Sequence, residues 1–394
     1  MTELPALKAV AMVGDEAVAE AVKQCDVDVV AAYPITPQTV IVEKLAEFFA
    51  NGEFAGEFVP VESEHSALSA CLGASATGAR VFTATSSQGL ALMHEMLYNV
   101  AGMRLPVVMA VANRSLSAPL VLNADHGDMM GSRDSGWIQV YAENVEEIYD
   151  RTIQLFRISE DPRVMLPSTI NFEGFILSHD VERVRPLGTE EVKRFVGRPH
   201  FRRTLNPDDP MTFGAIATHD NYYEFKMQQM EAMHRSLAVF KEVEAEYERI
   251  SGRRYGAVSG YNTDSADRIV VVNGCTSGTM RAAARVLNSE GERVGILAIK
   301  LYRPFPTEEV VSHLKAAKSV IVMDRSLSPG APSGPLAEDV MSALKGGGLN
   351  PDVLSVVYGI GGRDFSIEDG REVFAMSKEM ASHDGAPVMY GVKF

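Results

Sequence analysis

Cysteine is scarce, and its spacing excludes several classes of protein. The 394 residues include 3 cysteines, Cys25, Cys71 and Cys275, widely separated and never arranged as Cys-x-x-Cys. No zinc or iron–sulfur ligand set is therefore legible. Nor is a disulfide-stapled secreted protein expected; a reducing compartment, the cytoplasm, fits better. The opening MTELPALKAV lacks a basic region followed by an apolar core, so no secretion signal is expected. No apolar run approaches the ~18 residues of a membrane span. Positive charge is also short: 37 Lys and Arg stand against 52 Asp and Glu, for a net charge of −15. That argues against nucleic acid or an anionic membrane as partner. Gly-x-Gly-x-x-Gly, the Gly-Lys-Ser/Thr of a P-loop and Gly-x-Ser-x-Gly are all absent. A free-standing nicotinamide dehydrogenase and a serine hydrolase are thereby disfavoured.

What is present alternates. Apolar, strand-like runs at 7–13, 27–33, 58–61, 80–85, 105–112, 137–141 and 164–170 are separated by helix-like stretches. These include 17–25, 40–49, 66–78, 90–98 and 142–157. Such alternation predicts an α/β fold, a parallel sheet doubly wound with helices. Composition shifts after Ser178, and Asn221–Ile250 reads as one long amphipathic helix whose Met, Phe and Leu stripe serves packing. A linker is expected over 251–267. Strand-like runs at 268–273, 293–301, 319–324 and 354–358, with helices between them, predict a second α/β domain. The domains expected are 1–200, a connection over 201–266 containing the long helix, and 267–394.

The densest chemistry lies in residues 58–102. Glu62 and Glu64 straddle one residue. On an extended strand end both would face one side; on a helix they would not. Spacing alone leaves Glu64 open as a functional carboxylate or a solvated first-turn acid. The turn Ser86-Ser87-Gln88-Gly89 follows, and Thr36 and Thr39 are each possible helix caps. Gly274-Cys275-Thr276-Ser277-Gly278-Thr279 could cradle an anion at a helix start, although an ordinary turn is the simpler reading. His126, between Asp125 and Asp128, reads better as a hydrogen-bonded loop histidine than as a metal ligand, and no metal site is expected.

Six runs occur in a fixed order: Tyr33-Pro34-Ile35-Thr36-Pro37, Val61-Glu62-Ser63-Glu64-His65-Ser66-Ala67, Thr83-Ala84-Thr85-Ser86-Ser87-Gln88-Gly89-Leu90, Asn113-Arg114-Ser115-Leu116-Ser117-Ala118-Pro119, Arg133-Asp134-Ser135-Gly136-Trp137 and Arg303-Pro304-Phe305-Pro306. Together they resemble the α subunit of pyruvate:ferredoxin oxidoreductase and its 2-oxoacid relatives, over nearly the whole chain. The resemblance implies a thiamine-pyrimidine-binding domain followed by a domain like the transketolase C-terminal one. It implies coenzyme A-dependent oxidative decarboxylation of a 2-oxoacid, with electrons passed to ferredoxin or a similar acceptor. Glu64 would hydrogen-bond a ring nitrogen of thiamine diphosphate and so promote loss of the C2 proton. Pro34, Ile35, Ser87 and Gln88 would line the cofactor. Arg114 and Thr36 would receive the 2-oxoacid carboxylate. Ala70, Gly73 and Ala74 would let helix and sheet approach near the ring.

The chain departs from the wider thiamine pattern in lacking a Gly-Asp-Gly segment. A β subunit is therefore expected to carry the diphosphate, Mg²⁺ and a proximal [4Fe-4S] cluster, with ferredoxin-like and γ subunits beside it. The Asn113–Pro119 run matches the pyruvate branch. The aliphatic loop that follows, Leu120 to Asn123, leaves phenylglyoxylate or a branched-chain 2-oxoacid open. A non-catalytic structural or regulatory subunit on a degenerate thiamine fold is the alternative of another class.

Overall fold

A computed structural model describes residues 7–53, 55–201, 203–378 and 386–393. Two sheets organise it. The first has seven strands in the order Leu301–Arg303, Ile138–Tyr141, Ser168–Glu173, Val107–Asn113, Val81–Thr85, Val29–Ala32, Glu57–Pro60. All pair in parallel except Leu301–Arg303, which joins Ile138–Tyr141 antiparallel. Central strands such as Val107–Asn113 are buried along their whole length, as parallel strands covered on both faces must be. One face packs on the helices Gly14–Gln24 and Val145–Ser159; the other packs on Glu64–Ala76 and His94–Gly102.

Strand order sets where a ligand can sit. From Val29–Ala32 the chain moves outward to Glu57–Pro60, then crosses back to Val81–Thr85 on the opposite side. The connections leaving Val29–Ala32 and Val81–Thr85 therefore diverge at the carboxyl ends of these strands. In open parallel sheets this switch point opens a crevice. Gln38, fully buried, spans it by donating to the carbonyls of Tyr33 (2.8 Å) and Ala84 (3.2 Å).

The second sheet runs Val388–Met389, Asp352–Val357, Ser319–Asp324, Arg268–Asn273, Val294–Ile299, Val258–Tyr261, with only the last strand antiparallel. The stretch expected as a linker, 251–267, thus supplies an edge strand. The two units are also stitched together. Leu301–Arg303 leaves the second and extends the first sheet. Arg303 pairs with Asp339 (3.0 Å) and Asp134 (3.5 Å), and Arg133 with Glu338 (2.9 Å). Lys300, buried, bonds Glu143 (3.2 Å) and Glu147.

The long helix is Tyr222–Ser251. Its later turns pack as expected, burying Val239, Phe240, Val243 and Tyr247. Its first turns do not: Tyr222, Tyr223, Phe225, Met227 and Met230 are exposed in the isolated chain. The apolar stripe therefore serves core packing only over its second half.

Candidate active site

Each element of the switch point delivers one group. Glu64 opens the helix Glu64–Ala76, for which Ser63 is the cap, its hydroxyl accepting from the Ser66 amide at 3.2 Å. Starting the helix there turns the Glu64 side chain inward, and only 6% of the residue is exposed. Its carboxylate makes no hydrogen bond or ion pair among the described residues. It lies against Gly89: a Cβ there would stand 2.7 Å from Glu64 Oε1 and 2.4 Å from Thr85 Oγ1. Glycine is required at 89 for this approach. Glu62 points the other way, exposed, with its carboxylate accepting from the Ser66 hydroxyl at 2.6 Å. That hydrogen bond holds it below the usual carboxylate range.

Of the small residues expected to let helix and sheet approach, Ala70 and Ala74 pack partly against the core under Glu64–Ala76 and Gly73 does not. Gly73 is exposed, with open space for 4 Å around the place a Cβ would take, and Ala70 and Ala74 are only half-buried. Ala67, Leu68 and Cys71 form the inward face instead. Ser86 to Gly89 is not a free turn either. Ser87 begins the helix Ser87–Leu92, and its φ of 47° lies in the left-handed region. Thr36 and Thr39 do not cap the next helix, because Gln38 occupies the cap position without a side-chain cap bond.

Arg114 follows the strand Val107–Asn113 and is 5% exposed. Its Nη1 donates to the Thr36 carbonyl (2.6 Å) and its Nη2 to Gln88 Oε1 (3.2 Å). Its Nε is buried without a partner, and no carboxylate pairs with the guanidinium among the described residues. Burial pushes its pKa below the ordinary value, while the charge of Asp128 opposes the shift. Thr36 itself is exposed, as is Pro34, with Ile35 half-buried beside them. The structure thus brings Thr36, Gln88 and Arg114 into one hydrogen-bonded group, with Ser87 bonded to Gln88 (2.6 Å) and Glu64 across Gly89. The unpaired buried carboxylate fits the ring nitrogen of an aminopyrimidine, and the unpaired guanidinium fits a small carboxylate.

Other candidates resolve differently. The anion-cradle reading of Gly274–Thr279 fails because the turn is filled by the protein: the Cys275 amide donates to Glu173 Oε1 at 3.0 Å. Glu173 also takes His126 Nε2 at 3.0 Å, so His126 is a hydrogen-bonded histidine. Asp128, Gln38 and Gly89 are the residues that sequence reasoning did not assign.

Comparison with known proteins decides the family. Residues 20–245 match pyruvate flavodoxin/ferredoxin oxidoreductase, thiamine diphosphate-binding, and residues 266–370 match pyruvate:ferredoxin oxidoreductase core domain II. The chain belongs to this family. It is accordingly an α/β oxidoreductase chain with a thiamine diphosphate-binding domain. It is 49% identical to pyruvate synthase subunit PorA of Methanocaldococcus jannaschii, covering 90% of this chain and 91% of that one. It is 42% identical to ketoisovalerate oxidoreductase subunit VorA of Pyrococcus abyssi, covering 91% of each. Its fold superimposes with a TM-score of 0.70 on 2-oxoglutarate:ferredoxin oxidoreductase from Magnetococcus marinus at 20% identity, covering 94% of this chain. This chain spans 65% of that one. No helix among the described residues is long and apolar enough to cross a membrane.

Proposed function

We propose that this chain is the α subunit of a cytoplasmic pyruvate oxidoreductase and forms the aminopyrimidine half of a thiamine diphosphate site shared with a β subunit. The reaction takes a 2-oxoacid and coenzyme A to the acyl-coenzyme A, CO₂, a proton and two electrons, the electrons passing to ferredoxin or a similar acceptor. The observation that carries this reading is one unpaired carboxylate on a buried residue, Glu64, against Gly89 of a turn whose Gln88 binds the Arg114 guanidinium, which also lacks a carboxylate.

Glu64 would hold a protonated ring nitrogen of the cofactor, with Gly89 allowing the close approach and Pro34, Ile35, Ser87 and Gln88 around it. When bound, the cofactor supplies the nucleophilic carbon and the electron sink for decarboxylation. Arg114 has five N–H donors and uses two of them within the chain, leaving the rest for a substrate carboxylate. Its bond to the Thr36 carbonyl fixes the plane of the guanidinium, and Thr36 itself stands at the mouth of the site.

No Gly-Asp-Gly segment and no Cys-x-x-Cys occur in the sequence. The diphosphate, Mg²⁺ and [4Fe-4S] clusters are therefore assigned to partner chains, with ferredoxin-like and γ subunits completing the path. Pyruvate is favoured by the 49% identity to a pyruvate synthase subunit and by the Asn113–Pro119 run. A branched-chain substrate is the second reading, favoured by the 42% identity to a ketoisovalerate oxidoreductase subunit and by the aliphatic, exposed Leu120 and Leu122. Steady-state assays of the assembled complex on pyruvate, 2-oxoisovalerate and phenylglyoxylate separate them. The highest kcat/KM is expected on pyruvate; a higher value on either of the others would reassign the substrate.

A further inference from the structure

Asp128 is 3% exposed and lies in the short helix Gly127–Met130, between the Arg114 strand and Ile138–Tyr141. It makes four hydrogen bonds. Oδ2 accepts from the Ser87 amide (3.0 Å) and the Arg114 amide (3.0 Å). Oδ1 accepts from Asn113 Nδ2 (2.8 Å) and the Met129 amide (2.8 Å). One carboxylate thereby joins the main chains of the turn beside Glu64 and of the residue carrying the guanidinium. Both of those main chains change from one element to the next at that point. Ser87 has a positive φ, and Arg114 is the first residue after its strand. Neither amide has a ladder partner there, and a buried amide without an acceptor is costly. Next to Asp128, Asp125 ties the same segment onward: Oδ2 takes the Ser115 hydroxyl (2.5 Å) and Oδ1 the Gly127 amide (2.9 Å).

We propose that Asp128 is the positioning residue of this site, setting the distance and angle between the Arg114 guanidinium and the cofactor-side turn at Ser87–Gly89. The proposal rests on the reading of Arg114 as the receptor of the 2-oxoacid carboxylate. Asp128 touches neither substrate nor cofactor; it acts through two backbone amides. An aspartate suits this role because all four partners are donors, and only a carboxylate offers two acceptor oxygens. An asparagine would turn an N–H₂ toward at least one donor pair, breaking the clamp while keeping the volume.

The test uses the assembled complex and three single variants, Asp128→Asn, Asn113→Ala and Arg114→Lys, with the double variant Asp128→Asn/Arg114→Lys. Asp128→Asn is expected to raise KM for the 2-oxoacid roughly tenfold to hundredfold, with a smaller change in kcat per assembled site. Asn113→Ala, which removes one donor and leaves the carboxylate, should raise KM in the same direction by less. It also keeps the question open to measurement if Asp128→Asn fails to assemble. The double variant should show a KM close to that of Arg114→Lys alone, because the two act in series. If Arg114→Lys raises KM while Asp128→Asn and Asn113→Ala leave it within about twofold, or if the two KM effects multiply, Asp128 is only a structural residue and the proposal is overturned. An unchanged KM in Arg114→Lys would overturn the reading of Arg114, and this proposal with it.

Discussion

Glu64 and Arg114 make no ion pair with each other or with any described residue, and the Arg114 guanidinium binds only the neutral groups of Thr36 and Gln88. Buried charges are ordinarily compensated, so an uncompensated pair of sites marks where ligands supply the compensation. Glu64→Gln in the assembled complex should reduce turnover by at least about a hundredfold, the scale of a lost acid–base partner. Near-normal turnover would place this chain in the structural or regulatory class. Glu64, Arg114 and Thr36 are proposed from the sequence because their runs resemble those of a known family. Asp128 is not, because its role consists of receiving backbone amides from Ser87 and Arg114, and amides leave no trace in a residue pattern. Gly89 reads as part of a polar turn, yet the demand for glycine comes from the side chains of Thr85 and of Glu64, the latter 25 positions earlier in the sequence. The expectation for Gly73 fails for a related reason: small residues on a helix do not reveal which of them face the sheet.

Strands and helices are easier to read than their ends. Most apolar runs of both units form parallel strands, since burial on both faces imposes continuous hydrophobicity; the run at 7–13 instead forms Val10–Met12, paired antiparallel with Glu182–Val184 in a separate two-stranded sheet. The stretch over 251–267 reads as a linker because an edge strand with Gly260 and a polar flank carries little period. Helix starts also hide their chemistry. Asp324 ends the strand Ser319–Asp324, and its carboxylate receives the Leu336 (2.7 Å) and Ala337 (3.2 Å) amides at the start of the helix Pro335–Gly346. Burial lifts its pKa from 3.8 to about 7, with those two amides opposing and Asp339 reinforcing the rise. Between these values the folded chain holds a proton that the unfolded chain has released. The stability contributed by this group is therefore present in full below about pH 4 and falls as pH rises toward 7. Asp324→Asn removes the titration and keeps a carbonyl acceptor. The variant's melting temperature, relative to the parent's, should rise between about pH 5 and about pH 8. A difference independent of pH would contradict this account of Asp324.

On the proposed reading the whole molecule presents half of a site. Its switch-point crevice would then supply Glu64 for an aminopyrimidine and Arg114 for a carboxylate, while the sequence offers no Gly-Asp-Gly segment for a diphosphate and its metal. Stitching between the two units, through Leu301–Arg303 and the Lys300–Glu143–Glu147 contacts, holds the second domain against the first and leaves the crevice on the first. The exposed aromatic and methionine side chains at the start of Tyr222–Ser251 and the acidic balance describe the free chain, and a residue pattern does not show which of these faces a complex covers. The central claim is that this chain supplies only the Glu64 side of a shared thiamine diphosphate site. Calorimetric titration of thiamine diphosphate with Mg²⁺ into the purified chain, and into the assembled complex, tests it most directly. The account predicts tight binding and 2-oxoacid turnover in the complex, and neither in the chain alone. Full-affinity binding with turnover by the chain alone would contradict it.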